Sequence, residues 1–258
     1  APVPLAYIPP EIPVEMPASV LDLAIDSLVY SNNAARFTKA NTEYLSAAHN
    51  GLLSFPGDQS FSLCGMMIPQ SAPGTDFWTI IGKWSGTAAQ QQYLMGWRGS
   101  QSRFSLLVNN GASVFAQPPE ITSLTIGTPY FLLGYHDATN NVIGLSVNNG
   151  TRTTAAQAGS LQTSTAQHEI GRSNSSAIHY ADAIIQGVGV FTGVLSTTEQ
   201  AWLYNAGLGR RFSEVLTQPD LLAKCVSWMD LSEPSGTRYD RVSSLEWTDN
   251  NTVTSAIG

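Results

Sequence analysis

The sequence predicts an all-β protein, built as an antiparallel β-sandwich around one main domain. From about residue 20 onward, runs of about four to eight residues rich in β-branched and aromatic side chains are separated by Gly, Pro, Asn and Ser. Strands this frequent favour two packed sheets. The length of 258 residues suits one large domain with extensions. Charged residues make up only 12% of the chain, so the surface must be polar but largely uncharged, as in many extracellular, lectin-like and virion proteins.

The first element is a proline-rich arm over residues 1–19. Six of the fourteen prolines lie within the first 17 residues, and each fixes φ and removes an amide donor. We therefore expect an extended, polyproline-like segment. Apolar residues between the prolines could cover a neighbouring subunit, and a disordered tether is the alternative.

The sandwich itself is expected over residues 20–217. Asn149-Gly150 in "VNNGTRTT" is the clearest turn signal, because a type I′ hairpin turn needs positive φ at both central residues. The segments predicted as strands are "FSLCGMMIP", "FWTIIGKW", "QQYLMGW", "RFSLLVNN", "PYFLLGYH", "VIGLSVNNG" and "IIQGVGVFTG".

One short helix is predicted in "LSTTEQAWLYNAGLG". Ser196 is a good N-cap, and Glu199 three positions later completes a capping box. Trp202 supplies part of the apolar face, and Gly207 or Gly209 is placed to end the helix.

The order of these pieces resembles the laminin-G-like, concanavalin-A-like lectin-glucanase jelly-roll domain, of the kind also found in phage structural proteins. The resemblance covers about residues 33–212 and depends on the "YHD…N…SVNNG" hairpin followed by a Val/Ile strand and the "LSTTEQ" helix. It implies a jelly-roll sandwich. It also implies that the closing segment "VSWMDLSEPSGTRYD", within residues 218–258, is a first strand displaced to the C-terminus.

This C-terminal segment needs a partner, because a lone apolar strand cannot bury its face. We expect residues 218–258 to complete the sandwich in cis, as in a circular permutation. Donation of the strand in trans to a neighbouring molecule is the second choice, and a truncated second repeat is the third.

No catalytic residues are predicted, and we expect that the protein is not an enzyme. Glycoside hydrolysis needs two facing carboxylates, yet the chain has no Glu-x-Asp-x-x-Glu run, and its closest acidic spacings lie at turn signals. The four histidines show no metal-ligand spacing.

Calcium is the one cofactor that the resemblance implies, since such sandwiches often hold it in rim loops. Gln186 and Gly187 stand where the resemblance leads one to expect acidic residues, which argues against an ionic site there. No metal is therefore predicted. The weak calcium candidates are Asp137, Asn140, Asn141 and Asp249, for which a turn-forming role is favoured.

Trp84, Trp97 and Arg98 are the candidate glycan-binding residues, because they lie beside loop signals and sugars stack on exposed aromatic rings. Burial of both tryptophans is the favoured alternative. The other four tryptophans are assigned to the core or to strand pairing: Trp78, Trp202, Trp228 and Trp247.

Charge and hydropathy limit the classes of partner that the protein is expected to bind. A net charge of −7 without a Lys/Arg cluster argues against nucleic acid, and no apolar run is long enough to span a membrane. Cys64 and Cys225 read as buried free thiols in preference to a disulfide.

The leading functional prediction is a non-catalytic structural or decoration protein on an extracellular or virion assembly, such as a phage capsid or tail surface. Its partners would be neighbouring subunits contacted through residues 1–19 and 218–258. The alternative is a carbohydrate-binding module that recognises surface glycans.

Overall fold

The computed structural model describes residues 34–175 and 178–256, which form two packed antiparallel sheets. The predicted all-β sandwich is therefore confirmed. The predicted arm over residues 1–19 lies outside the described residues. No helix in the described part of the chain is both long and apolar enough to cross a membrane.

Sheet A has eight strands. In spatial order they are β10 (Thr153–Ala156), β9 (Val142–Val147), β8 (Tyr130–Asp137), β3 (Phe61–Pro69), β14 (Ala183–Thr192), β1 (Ala35–Phe37) and β18 (Thr254–Ser255), with β15 (Cys225–Met229) also paired to β14. The long strand β14 offers one edge to both β1 and β15, which pair with its first and second halves.

Sheet B also has eight strands. Their order is β16 (Arg238–Tyr239), β17 (Glu246–Asn250), β2 (Tyr44–Ala47), β11 (His168–Ile170), β4 (Phe77–Lys83), β5 (Tyr93–Arg98), β6 (Arg103–Asn109) and β7 (Ser113–Ala116). A separate two-stranded hairpin is formed by β12 (Arg172–Asn174) and β13 (Ile178–Tyr180). The main apolar core lies between the two sheets.

The β9–β10 hairpin turn lies one residue earlier than predicted. Asn148 and Asn149 have φ of 50° and 58°, and the Gly150 N–H donates to the Val147 carbonyl. The central pair is therefore Asn-Asn and not Asn149-Gly150. Asparagine tolerates the left-handed region well enough to fill both positions of the turn.

Three helices lie beside sheet A: α1 (Thr197–Tyr204), α2 (Phe212–Val215) and α3 (Pro219–Leu222). The predicted capping box at Ser196 and Glu199 is present. The helix ends at Asn205, in the left-handed conformation with φ of 48°, and not at Gly207 or Gly209. The sequence missed α2 and α3, because a single turn of helix has no readable periodicity.

A second apolar cluster joins these helices to the outer face of sheet A, so this side of the sandwich has a third layer. It includes Met66, Phe131 and Trp228 from the sheet and Leu203 and Val215 from the helices. Both cysteines lie in this cluster as buried free thiols.

The C-terminal segment pairs within its own chain. Strand β15 lies on β14, β17 lies on β2, and β18 lies on β1, so the segment reaches both sheets. Trp228, Trp247 and Val253 from this segment are each at most 1% exposed.

Candidate functional site

The two tryptophans expected to bind glycans are buried. Trp97 is 2% exposed and lies in the core with its ring edge against Phe104, while Trp84 is 6% exposed and packs on the outer face of sheet B beside Leu94 and Leu107. Neither ring offers a free face, so the exposed aromatic platform predicted there is wrong. Arg98 is half-buried and stacks over Phe115 at 4.3 Å from the ring centroid.

The calcium candidates hold turns together. The Asp137 carboxylate accepts hydrogen bonds from the backbone N–H and side-chain amide of Asn140, at 3.0 and 2.7 Å. Asn141 follows in the left-handed conformation. The Asp249 carboxylate accepts from the N–H groups of Gly236 and Val253. Within residues 34–175 and 178–256, no three His, Cys, Asp or Glu side chains converge as metal ligands would.

The structure places a different tryptophan, Trp202, beside an open groove. On α1, Gln200 and Leu203 face the interior, so Trp202 lies at the side of the helix and is only half-buried. It lines a groove of about 650 Å³ between α1 and α3, which we call the Trp202 groove. The polar residues of the groove are Ser196, Thr198, Glu199, Gln218, Asp220 and Lys224.

A second depression adjoins this groove, and we call it the Gln186 pocket. Its volume is about 180 Å³. The Arg210 guanidinium lines the pocket and lies 4.4 Å from the centroid of the Trp202 ring, so this stacked pair separates the pocket from the groove. The planar polar side chains around the pocket are Gln186, Asn205, Arg210, Arg211, Glu214 and Asp230.

A β-bulge in β14 gives Gln186 its position. The register shifts between Gln186 and Gly189, and Gly187 has φ of 58°, which a residue without Cβ adopts at no steric cost. The extra residue lets Ile185 and Val188 both join the core while Gln186 faces the helical layer. The pocket therefore lies directly over the bulge.

The charges of the Gln186 pocket are already paired. Glu214 accepts from the Arg210 guanidinium at 2.7 Å and from the backbone N–H of Arg211 at 2.9 Å. Asp230 accepts from the Trp228 indole and the Phe212 N–H, both at 2.9 Å, and forms an ion pair with Arg241. These carboxylates act as fixed hydrogen-bond acceptors in a site of nearly balanced charge.

Glu199, one of the two acids of the Trp202 groove, is held in a similar way. Burial alone would raise the pKa of Glu199, but hydrogen bonds from Lys224 and Ser196 bring its pKa below the usual value. Glu199 is therefore ionised at neutral pH and is not tuned to donate a proton.

Gln186 itself is incompletely bonded. Its side chain is buried, with 7% of the residue exposed, and its Nε2 donates to the Met66 sulfur at 3.3 Å. Its Oε1 has no hydrogen-bond partner among the residues that the structure describes. A buried amide oxygen without a donor is costly, so this atom marks the base of the pocket as a place for a donor group.

Comparisons with known proteins agree on the fold. No protein-family model matches the sequence, and no curated protein matches it either. A Bacteroides ovatus protein named "putative carbohydrate binding protein" superposes with a TM-score of 0.58 at 15% identity, covering 87% of this chain and 61% of that one. Full-length tailspike protein 2 from an Escherichia coli O157:H7 bacteriophage gives 0.52 at 15% identity, covering 80% of this chain and 27% of that one.

The enzymatically active domain of a bacteriophage tailspike protein 2 gives a TM-score of 0.51 at 15% identity, covering 78% of this chain and 30% of that one. The chain thus spans less than two thirds of the length of each of these proteins. At such identities the likeness shows a shared lectin-like sandwich fold, and the laminin-G resemblance in particular stays a prediction.

The sequence assigned Trp202 to the core or to strand pairing, whereas in the structure it is half-buried at the edge of the second apolar cluster. Trp78, Trp228 and Trp247 are at most 1% exposed and fit the same assignment. Helical spacing could have predicted this position. If Gln200 and Leu203 face the sheet, residue 202 must lie at the side of the helix.

Proposed function

We propose that this chain is a non-catalytic, carbohydrate-binding decoration module of an extracellular or virion assembly, and that the Trp202 groove with the adjoining Gln186 pocket holds the glycan. The observation that carries the proposal is the half-buried Trp202 ring standing between an open polar groove and a pocket of planar polar side chains.

The chemistry of sugars fits this arrangement. A pyranose ring has an apolar face that packs on an aromatic ring, and its hydroxyl groups both donate and accept hydrogen bonds. Amide, guanidinium and carboxylate groups supply partners of both kinds in fixed planes. The groove, at about 650 Å³, has room for several sugar units, whereas the pocket, at about 180 Å³, has room for about one.

The bonding of three of the four carboxylates in the groove and the pocket supports binding without catalysis. Glu199, Glu214 and Asp230 each accept at least two hydrogen bonds or ion pairs from the protein. A general acid needs a raised pKa and a free proton to donate. The lowered pKa of Glu199 argues for a binding role.

The structural neighbours support the setting of this proposal. One is named for carbohydrate binding and the others are phage tailspikes, which are virion proteins. The polar surface with only 12% charged residues is consistent with an extracellular or virion location. The alternative is a purely structural decoration protein that binds no glycan, and the experiment must distinguish it from the proposed glycan-binding module.

A glycan array tests the proposal. We predict specific binding by the wild-type protein and a loss of about ten-fold or more in affinity on Trp202→Ala, because truncating a central aromatic residue removes the stacking surface. Tyr239→Ala is the matched control, since Tyr239 is an exposed aromatic residue on β16, away from the groove, and its truncation should leave binding unchanged.

Thermal unfolding of both variants shows whether each is folded. Trp202→Phe keeps a ring in place and should retain part of the affinity. Absence of binding to any glycan, or equal losses in the Trp202→Ala and Tyr239→Ala variants, would overturn the proposal in favour of a purely structural role.

A further inference from the structure

The Gln186 pocket has an apolar extension beneath its polar rim. A small cavity of about 10 Å³ shares Gln186, Gly187, Gly209 and Arg210 with the pocket, so the two spaces adjoin. Its remaining walls are the apolar side chains Met66, Phe131, Leu203 and Trp228. This volume is close to the minimum for one water molecule and suits a group of methyl size.

A ligand that fills the bottom of the Gln186 pocket must meet two conditions at once. It needs a hydrogen-bond donor for the unpartnered Oε1 of Gln186. Next to that donor it needs a small apolar group for the side of the cavity walled by Met66, Phe131, Leu203 and Trp228. The acetamido group meets both conditions, because its N–H donates and its methyl group lies two bonds away.

We infer that the Gln186 pocket is a subsite for an N-acetylated amino sugar, with the acetamido N–H donating to Gln186 Oε1 and the methyl group in the apolar cavity. This inference rests on the proposed glycan-binding function and names the sugar class within it. The paired charges around the rim fit a neutral ligand, because Glu214 neutralises Arg210 and Arg241 pairs with Asp230.

Matched sugar pairs test the inference. The full chain is titrated with methyl β-N-acetylglucosaminide and with methyl β-glucoside, and likewise with the corresponding galactose pair, by ligand-observed NMR. We expect at least one N-acetylated member to bind about ten-fold more tightly than its hydroxyl counterpart, the effect of one buried hydrogen bond together with a methyl contact.

Gln186→Leu gives the second arm of the test. Leucine removes the acceptor but keeps an apolar side chain of similar length, so the N-acetyl preference should be lost while affinity for the hydroxyl sugars changes by less than about two-fold. Because the change also removes a buried oxygen without a partner, the melting temperature should stay equal or rise. Gln101→Leu is the control that should keep the preference, because Gln101 is an exposed glutamine between β5 and β6 that lines neither the groove nor the pocket.

The outcomes separate this inference from the proposed function. Equal affinity for both members of each pair, or a preference that survives Gln186→Leu, overturns the N-acetyl subsite even if the array shows glycan binding that depends on Trp202. No binding of any sugar on the array or in the titrations overturns both. An N-acetyl preference that Gln186→Leu removes and Gln101→Leu keeps supports both.

Discussion

At the scale of single residues, Lys83 is an amine enclosed at the end of β4, with no carboxylate partner in the described part of the chain. Its Nζ lies 2.6 Å from the Ala166 carbonyl oxygen and 2.8 Å from His49 Nδ1, and the residue is fully buried. Burial lowers the pKa of Lys83 to about 8. The same environment lowers the pKa of His168 to about 3, through burial and the nearby positive charge.

The lowered pKa of Lys83 makes stability depend on pH. In the unfolded chain a lysine holds its proton up to roughly pH 10.4, whereas folded Lys83 loses it near pH 8. Between these values the unfolded state binds more protons, so this residue makes the free energy of unfolding rise with pH.

Lys83→Met should remove this rise. We predict that the difference in unfolding free energy between the wild type and Lys83→Met shifts in favour of the wild type from pH 8 to pH 10, measured by urea denaturation at each pH. Taking the difference cancels the titration of the two buried cysteines. A difference that stays constant over this range would mean that folded Lys83 keeps its proton as the unfolded chain does, so that its pKa is not lowered.

At the scale of elements, α1 carries the wall of the proposed site, and its N-terminus is fixed by the capping box. The Ser196 hydroxyl accepts from the Glu199 N–H, and the Glu199 carboxylate accepts from the Ser196 N–H at 2.7 Å. Lys224, just before β15, also donates to Glu199 at 2.7 Å. The start of the helix is therefore tied to the C-terminal segment.

Ser196→Ala should destabilise the protein by about 1 kcal/mol, because it leaves a helix-terminal N–H without its capping partner. Chemical denaturation measures this loss. Thr197→Ala is the control: Thr197 is exposed in the first turn and does not cap, and alanine has the higher helix propensity, so stability should not fall. Equal losses in both variants would contradict the capping role.

Elements also explain which features the sequence could predict. Strand segments and the capping box depend on neighbouring residues, so their patterns were readable locally. Strand alternation explains why Trp97 is buried. Tyr93, Met95 and Trp97 all face the core along β5, although Trp97 also lies beside a loop. The position of a residue in the alternating pattern of the strand therefore predicts its burial better than its nearness to a loop does.

The Gln186 pocket could not be predicted in the same way, because it is assembled from distant parts of the chain. It needs the bulge at Gly187 and the loop that carries Arg210. It also needs Asp230, which follows β15. A bulge is a property of strand pairing, and the side chains from the three regions meet only after β3 and β15 have both paired with β14. The sequence showed only that Gln186 and Gly187 differ from the expected acidic pattern.

At the scale of the whole molecule, the C-terminal segment closes both sheets and ends beside the first described strand. The Ala256 N–H donates to the Ala34 carbonyl oxygen at 3.0 Å, so the two ends of the described chain lie next to each other. The C-terminal segment could therefore take the same place in the fold if it came first in the chain, as the resemblance to domains that begin with such a segment implies.

Removing residues 220–258 should expose an edge of β14 and leave the core without Trp228 and Trp247, so we predict aggregation.

A circular permutant isolates the cause. Residues 218–256 are placed first and joined by a short Gly/Ser linker to residues 34–217, with the break in the exposed turn between α2 and α3. This permutant contains every described strand in a different order. It should be soluble and unfold cooperatively, like an unpermuted 34–256 control, in size-exclusion chromatography and urea denaturation. A soluble, cooperatively unfolding truncation would show that the segment is dispensable. Aggregation of the permutant alone would show that the fold depends on chain order, since all its strand pairings are retained.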